Sequence, residues 1–553
     1  MTDETRTPTA TDAVADAYVE TLGRLSPSFR TMLGLEGDES GLDDFSPAGL
    51  ASQDAERTAV LGKLSRIKPE DDVDVITQAA MRERLALEGE LYDSGEQFAD
   101  LNVIASPLQG IRDIFDLMST DSAQDWDAVA GRMANVPGAI AGYIESLREG
   151  ADTGLVPARR QVEAGIAQAV ELAEAGSFWG SLAERGAAVG SAASLADGAE
   201  KAKAAYGELA AFLRDELAPR APEKDAVGRD RYSLFSQTFL GATIDLDETY
   251  EWGLEELGRI VAEQEATAAA LYGAGTTPEE AMAKLDADPS RQLHGTDALQ
   301  RWMQETSDAA VEALSGTQFD IPEPVRALEC MIAPTTSGGI YYTPPTGDFS
   351  RPGRMWWAVP EGVTEFGTWR EKTTVYHEGV PGHHLQCGQT IYRANLLNSW
   401  RRMAVWVSGH GEGWALYAER LMADLGFLDD PADRLGMLDG QRLRAARVVL
   451  DIGVHLEKEA PASLGGGTWD AAKAKTFLYA NANMAPGFLD FELDRYLGWP
   501  GQAPSYKVGQ RLWEQIRDEA KAREGADFSL VAFHRRALDV GSVGLDVLAQ
   551  ALR

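Results

Sequence analysis

Apolar and polar positions in residues 1–330 recur with the spacing of amphipathic α-helices, and strand-like alternation is scarce. Alanine, leucine and glutamate, which favour helices, dominate this part of the chain. Ser46 precedes Pro47, as an N-cap precedes a proline at the first helical position. Thr277 and Glu280 have the spacing of a capping box. The pattern therefore predicts a helical lobe over residues 1–330.

The pattern changes near residue 331, where aromatic and β-branched residues cluster. Residues 340–343 and 355–359 are β-prone, and residues 344–353, rich in proline and glycine, separate them. We expect a β-hairpin with a long loop. Its aromatic side chains either pack against the protein or line an edge strand that receives an extended peptide. Helical patterns then return, so residues 331–553 are expected to form a second lobe.

Together these patterns predict a mainly α protein with a large helical fold, a central cleft and a small β element on the rim of the cleft. A chain of 553 residues exceeds the typical length of one domain, so two lobes are expected. We expect the lobes, residues 1–330 and 331–553, to form one continuous fold.

Composition narrows the classes of partner. The net charge is −36, from 51 basic and 87 acidic residues, and such a chain repels phosphate backbones and anionic lipid headgroups. We therefore expect no nucleic-acid or membrane partner. Cys330 and Cys387 offer no disulfide framework. Residues 1–7 lack a signal-peptide pattern, and no run of about 18 apolar residues occurs, so we expect a cytoplasmic protein.

Three of the seven histidines lie within residues 377–384, beside a glutamate. Catalytic zinc takes three protein ligands of this kind and keeps a fourth position open for water. The common helical motif, H-E-x-x-H, puts two histidines one turn apart with the catalytic glutamate between them. In this chain Pro381 occupies the second histidine position, and Glu378 is the expected general base.

The second histidine ligand requires a distorted helix. His383 lies six residues after His377, a rise of about 9 Å on a regular helix, so the two would not converge. Because Pro381 removes a backbone donor and Gly382 permits unusual dihedral angles, we predict a bulged or broken turn. The rival is His384, which shares a helical face with His377 but lies about 10.5 Å along the axis. We favour His383, since it needs the smaller distortion.

The third ligand is expected to be a carboxylate on a neighbouring helix. Glu412 and Glu419 are the candidates, and they share a helical face two turns apart (419 − 412 = 7). We expect only one of them to reach the ion. Two nitrogen ligands and one carboxylate suit Zn²⁺, although ligand type alone does not exclude manganese or cobalt. His410 is expected beside the ligands rather than among them.

These segments resemble known families. Residues 411–419 are similar to the pattern Asn-Glu-Gly-Phe-Ala-x-Tyr-x-Glu, which surrounds the glutamate ligand in the aminopeptidase-N branch of the gluzincins, with Gly411 and Trp414 as departures. More closely, residues 330–510 resemble the bacterial domain-of-unknown-function 885 family, which carries H-E-G/A-x-P-G-H and later G-H-x-E-G-W-A-L-Y-x-E. The resemblance implies a mostly helical, gluzincin-like metallopeptidase fold with Glu412 in the ligand position. It leaves the choice between His383 and His384 open.

A donor for the oxyanion of the reaction is also expected. Residues 495–507 resemble the family pattern R-Y-x-x-x-P-G-Q-A-x-x-Y-K, and we predict that Tyr506 is this donor. Tyr496 and His455 are the rivals, and simple packing of Tyr506 is the alternative.

A polar stripe follows one face of a predicted helix at offsets 0, 3, 7 and 11: Arg444, Arg447, Asp451 and His455. Buried charges are costly unless they are paired, so this face meets either a wet cleft or a network. The stripe either clamps a substrate carboxylate and orients a metal ligand, or joins helices as a structural ion network.

The sequence thus predicts a zinc-dependent hydrolase of peptide or related amide bonds. In this hypothesis His377, His383 and Glu412 hold the metal, and Glu378, Tyr506 and His455 are the candidate catalytic residues. The alternatives are a hydrolase of a non-peptide amide, or a non-catalytic helical binding protein with a degenerate metal site. Substrate identity, endo- or exopeptidase action and oligomeric state are not indicated.

Overall fold

The chain folds mainly into α-helices with small β-sheets, and the predicted fold class is confirmed. The computed structural model describes residues 5–334 and 339–553. Residues 1–4 lie outside the described residues. They belong to the N-terminal segment for which we expected no signal peptide. No described helix has the length and apolar character needed to cross a membrane. The division of the chain into lobes at residue 330 stays a prediction.

Helices α1 to α13 come before residue 328 in the chain, where the three-stranded sheet begins. They are α1 (Ala10–Leu25), α2 (Pro27–Leu33), α3 (Pro47–Leu64), α4 (Asp72–Asp93), α5 (Pro107–Asp113), α6 (Ala123–Asp152), α7 (Arg159–Ala173), α8 (Phe178–Gly186), α9 (Ala192–Phe212), α10 (Arg229–Leu240), α11 (Leu246–Tyr272), α12 (Pro278–Asp286) and α13 (Thr296–Leu314). Both predicted start signals are confirmed. The Ser46 side chain caps α3, and Thr277 and Glu280 form a capping box at α12.

The strands are short and form two sheets within the described ranges. They are β1 (Gln292–His294), β2 (Leu328–Ile332), β3 (Ile340–Thr343), β4 (Gly353–Trp357) and β5 (Glu365–Gly367). β1 pairs antiparallel with β5, and the other sheet has the order β2-β4-β3, with β2 parallel and β3 antiparallel to β4. The predicted hairpin is therefore confirmed as β3 and β4, and β3 lies at an edge of its sheet.

Helices α14 to α22 complete the chain. They are α14 (Thr368–Glu378), α15 (His383–Tyr392), α16 (Ser408–Asp424), α17 (Pro431–His455), α18 (Ala471–Asn481), α19 (Pro486–Gly498), α20 (Ser505–Glu524), α21 (Leu530–Asp539) and α22 (Leu545–Ala551). The long helix α17 is central, because it packs against α11, α14, α18 and α20.

Separate apolar cores hold these elements in place. The largest contains side chains from both ends of the chain, such as Leu64 of α3, Trp414 of α16 and Leu548 of α22, all fully buried. A second core lies among α5 to α9. A third packs Met355 of β4 against Val375 of α14. Because a fully buried side chain of this size contributes about 1.5–3 kcal/mol, these contacts fix α14 and α16, which carry the histidine and glutamate motifs.

Candidate metal centre

The helix that begins the histidine motif is broken at the predicted position. α14 ends at Glu378 and α15 begins at His383, and the Val380–Pro381 peptide bond between them is cis. The backbone N–H of Gly382 donates to the carbonyl of Tyr376 at 3.0 Å, so the chain folds back on the last turn of α14. The prediction of a broken turn is confirmed.

The tightness of this turn requires glycine. A Cβ atom on Gly382 would lie 1.9 Å from the carbonyl oxygen of His377, far inside contact distance. From the opposite side, the indole N–H of Trp414 donates to the carbonyl of Pro381 at 2.8 Å. Since Trp414 belongs to α16, the helix that carries the candidate glutamate ligand also holds the turn that carries the histidines.

The turn brings His377 and His383 to one carboxylate. Oε2 of Glu412 lies 3.3 Å from Nε2 of His377 and 3.5 Å from Nε2 of His383. One ligand atom from each of the three residues lies within 4.8 Å of the others, and the side chains are buried or nearly so. The structure thus groups these three residues into a cluster that could hold a metal ion.

The spacing of this cluster fits a metal better than hydrogen bonds. Both N···O distances exceed the usual 2.7–3.2 Å of an N–H···O bond. Ligand atoms about 2.05 Å from a tetrahedral zinc ion would lie about 3.3 Å apart, close to both values. Nδ1 of His383 is buried without a hydrogen-bond partner among the described residues. The donor set therefore fits zinc.

The charges around the cluster favour a bound cation. Burial lowers the pKa of His377, but the nearby carboxylates of Glu412 and Glu419 more than offset this and raise it to about 10. Despite burial, the imidazoles of His383 and His377 hold the pKa of Glu412 well below its usual range. Carboxylates that already stabilise a proton on His377 would equally stabilise a bound cation at that place.

Glu419 orients His377 rather than joining the cluster. Its Oε1 lies 2.7 Å from Nδ1 of His377, and its Oε2 accepts a hydrogen bond of 3.2 Å from Gln441. Lys507 in turn donates to Gln441 at 2.6 Å. A carboxylate on Nδ1 fixes the tautomer that leaves Nε2 free to bind a metal. The two glutamates of the motif, two turns apart, thus reach opposite nitrogens of one imidazole.

Helix α20 approaches the site through glycines. A Cβ atom on Gly413 would meet the backbone of Gly509 at 2.4 Å, and one on Gly509 would meet the carbonyl of Gly409 at 2.3 Å. Only glycine allows α16 and α20 to cross this closely. The crossing brings Tyr506, one turn before Gly509, to the wall of the cavity over the cluster.

The cavity has a volume of about 530 Å³ and is lined by the cluster together with Glu378, Tyr506 and Arg444. Burial raises the pKa of Glu378, and the neighbouring imidazoles only partly offset this. Burial and the charge of Glu412 raise the pKa of Tyr506, so its hydroxyl keeps its proton at neutral pH. The guanidinium of Arg447 lies 5.1 Å from the centre of the Tyr506 ring and holds it by a cation–π contact. A carboxylate and a hydroxyl donor thus face the space beside the cluster.

Strand β3 forms another wall of this cavity. Ile340, Tyr341 and Tyr342 line it, and β3 pairs with β4 on one side only. The indole of Trp406 also lines the cavity. It is 53% exposed, and its ring centre lies 6.0 Å from that of His383.

The structure does not bring His384 to the cluster. Its Nδ1 lies 3.0 Å from the hydroxyl of Tyr342, and its Nε2 lies 2.7 Å from the carbonyl of Val325. Burial lowers the pKa of His384 to about 4, so both contacts are those of a neutral imidazole. His384 therefore ties α15 to β3 and to the segment before β2, and it is not part of the cluster.

His455, a candidate catalytic residue, is placed away from the cavity. Its Nε2 lies 3.0 Å from the carbonyl of Tyr496, and its ring stacks on Tyr232. Burial lowers its pKa to about 4. The rival Tyr496 is fully buried and bonded to Glu492 and Arg447. Neither residue lines the cavity, so Tyr506 is the candidate oxyanion donor that the fold brings to it.

The polar stripe on α17 divides into two parts. Arg447 is paired with Glu492 at 2.7 Å, and Asp451 accepts hydrogen bonds from Tyr232 and from the backbone of Gly501. These residues form the structural network that was one of the two expectations. Arg444 lines the cavity, as Arg447 does, but it makes no such pair among the described residues.

Some residues of the site were missed in the sequence. Gln441 lies three positions before Arg444 on the same face of α17, so extending the stripe by one turn would have found it. Lys507 follows Tyr506 in the pattern already noted, but no signal marked it as buried. His410, expected beside the site, lines the cavity, and its Nδ1 lies 3.2 Å from Nε2 of Gln386.

Comparisons with known proteins give a family and a fold. The model of a family described as "Bacterial protein of unknown function (DUF885)" matches residues 27–552. Among solved structures, a putative lipoprotein from Colwellia psychrerythraea has a TM-score of 0.83 and 22% identity, over 98% of both chains. A putative lipoprotein of unknown function from Shewanella oneidensis has a TM-score of 0.73 and 17% identity, over 98% of this chain and 99% of that one. No curated protein matches.

Proposed function

Since this chain belongs to the bacterial DUF885 family, which is described only as being of unknown function, we propose a function from its own site. The protein is a zinc-dependent hydrolase of peptide or related amide bonds. The observation that carries this proposal is the grouping of His377, His383 and Glu412 in one cavity with Glu378. Two imidazoles, one carboxylate and an adjacent free glutamate are the donors and the base that such chemistry needs.

Each residue has a distinct part in the proposed reaction. His377, His383 and Glu412 would hold the metal, whose chemistry when bound is to polarise a carbonyl and to acidify water. Glu378 would take the proton of the attacking water and pass it to the leaving amine. Tyr506 would donate its hydroxyl hydrogen bond to the oxyanion.

The resemblance to gluzincins supports the same assignment. In that pattern the first glutamate of the helix is the ligand, and here this residue is Glu412 of α16. The second glutamate, Glu419, would keep His377 oriented through Nδ1. Gluzincin-like metallopeptidase activity is therefore the specific form of our proposal.

The shape of the cavity favours small substrates. Its volume of about 530 Å³ is in the range of sites that enclose small ligands, so a short peptide fits better than a folded protein. The edge strand β3 could also pair with an extended substrate backbone. The same limited volume keeps a small non-peptide amide as the second candidate substrate.

The cellular location of the protein and its partners stay predictions. Both solved neighbours are described as putative lipoproteins, a description that applies to those proteins. Our expectation of a cytoplasmic protein with a peptide partner, and without nucleic-acid or membrane partners, is carried forward as part of the proposal.

The decisive experiment compares wild type with Glu378→Gln. Both proteins are purified, their metal content is measured by elemental mass spectrometry, and hydrolysis of a library of short peptides and acyl-amides is followed by mass spectrometry. We expect both to carry about one zinc ion per chain. The variant should lose roughly 10²–10⁴-fold in kcat, because only the proton transfer is removed.

Two results would contradict the proposal. Equal activity in Glu378→Gln would remove the assigned base. A wild-type protein that neither contains zinc nor takes it up would favour the binding-protein alternative.

A further inference from the structure

Most buried arginines near the proposed active site are paired with an acid. Arg447 makes an ion pair with Glu492 and a hydrogen bond to Tyr496, and Arg495 also pairs with Glu492. These contacts offset the charge of each guanidinium inside the fold.

Arg444 is the exception on the same helix. It lines the cavity, yet it makes no hydrogen bond or ion pair with any residue in the described ranges. Its Nε atom is buried and has no hydrogen-bond partner among them. The residue is half-buried, so its guanidinium loses part of its hydration without gaining an acid partner among the described residues, and such a position is suited to a charged ligand.

The surroundings of Arg444 place that ligand beside the reaction. Arg444 lies on the face of α17 that carries Gln441, and it lines the same cavity as Glu378 and Tyr506. These two residues are the proposed base and the proposed oxyanion donor. An anion on Arg444 would therefore belong to the same small molecule whose amide bond faces Glu378.

The geometry of the guanidinium selects the anion. Its planar fork of N–H donors matches the two oxygens of a carboxylate and can bind them together. Peptides supply such a group at their C-terminus or on a Glu or Asp side chain. The cavity also contains Glu378 and Glu412, whose negative charges disfavour a doubly charged phosphate more than a singly charged carboxylate.

We propose that the substrate carries a free carboxylate a few atoms from the scissile amide, and that Arg444 binds it. This inference rests on the proposed hydrolase function and narrows it to carboxylate-bearing peptides or acyl-amino acids. Arg444 is then a specificity-determining residue, which contacts substrate without taking part in the transfer of protons.

A second arginine of the cavity provides a matched control. Arg402 also lines it, but its Nε donates to the carbonyl of Leu397 at 3.2 Å, and it borders a neighbouring cavity that contains Asp16. If Arg444 is the carboxylate site, removal of the Arg402 charge should leave the preference for a carboxylate in place.

The test measures binding separately from turnover. Zinc-loaded Glu378→Gln protein is titrated by calorimetry with acetyl-trialanine as the free acid and as the C-terminal amide. Two further amides, acetyl-Ala-Glu-Ala-amide and acetyl-Ala-Gln-Ala-amide, report on a side-chain carboxylate. At least one carboxylate probe should bind roughly 10–100-fold more tightly than its neutral counterpart. The pair of probes that shows this difference tells whether the carboxylate comes from the C-terminus or from a side chain.

Adding Arg444→Gln should reduce the affinity for the carboxylate probe to that for the neutral one, and leave the neutral probe unchanged. Arg402→Gln should keep the preference. Arg444→Lys, which keeps the charge but loses the fork, should retain only part of it, and it replaces Arg444→Gln if that variant does not fold.

Equal binding of carboxylate and neutral probes, equal weakening of both by Arg444→Gln, or loss of the preference in Arg402→Gln would each overturn the inference. So would the absence of binding by all four probes. Hydrolysis by the wild type separates this failure from that of the proposed function. If the acid is bound through Arg444 but never cleaved, the hydrolase proposal fails alone. If acid and amide are cleaved alike, this inference fails alone.

Discussion

Replacing Gly382 with alanine tests whether the broken turn makes the metal centre. A Cβ atom at this position would lie 1.9 Å from the carbonyl oxygen of His377, whereas real Cβ atoms essentially never approach within 3.0 Å. The turn must therefore open by at least 1.1 Å (3.0 − 1.9 = 1.1). It cannot yield freely, because the hydrogen bond from Trp414 to Pro381 holds its other side.

If the turn opens by this much, His383 can no longer bind the same metal ion as His377 and Glu412. Metal–ligand distances tolerate about 0.2 Å, and His383 follows Gly382 directly in the chain. We expect Gly382→Ala to bind zinc at least 100-fold more weakly than wild type. Relief of the clash by movement of neighbouring groups should also cost about 1–3 kcal/mol of stability, as in other overpacked sites.

Zinc affinity is measured by competition with a chromophoric chelator, after gel filtration and circular dichroism have shown that the variant is folded. Gly258→Ala is the matched control, because Gly258 is exposed within α11 and a Cβ there meets open space. It should keep wild-type affinity and gain about 0.5–1 kcal/mol of stability. Trp414→Phe, which removes the hydrogen bond and part of the buried ring but adds no clash in the turn, should weaken zinc binding less than Gly382→Ala does. Wild-type affinity in folded Gly382→Ala would refute the reasoning.

Three further outcomes are expected. His383→Ala should abolish zinc binding and His384→Ala should keep it, as measured by metal content; the reverse result would exchange the ligands. Glu419→Gln should lower zinc affinity by about 10–100-fold in the same competition assay, and no change would mean that it does not orient the ligand. Burial raises the pKa of Glu492, but Arg447 more than offsets this and holds the pKa at about 2, below the ordinary 4.5. The stability from this pair is therefore present above pH 4.5 and lost as pH falls toward 2, so Glu492→Gln should cost about 3–5 kcal/mol at pH 7 and little near pH 2 in denaturant titrations.

Local rules predicted the parts of the site that depend on the chain's own geometry. A proline followed by glycine between two histidines cannot continue a helix, and the break occurs between Glu378 and His383. The spacing of seven between Glu412 and Glu419 likewise predicted that only one would reach the ion. The capping signals and the hairpin followed from the same kind of short-range chemistry.

Long-range packing decided what these rules left open. Whether His383 or His384 turns inward depends on partners far along the chain, since Val325 and Tyr342 hold His384. The close crossing of α16 and α20, which brings Tyr506 to the cavity, depends on glycines almost 100 residues apart, and no local pattern pairs Gly409 with Gly509.

The stripe on α17 illustrates why periodicity alone cannot assign function. It correctly indicated that Arg444, Arg447 and Asp451 share a face, but a helix of 25 residues is far longer than one cavity, and its neighbours change along its length. Toward its end that face meets α19 and α10, where Glu492 pairs with Arg447 and Tyr232 donates a hydrogen bond to Asp451. One turn earlier Arg444 meets the cavity and makes no ion pair within the described ranges. The residue of a charged stripe to test first is therefore the one without a partner among the described residues, and this observation, rather than charge itself, distinguishes Arg444 from Arg447.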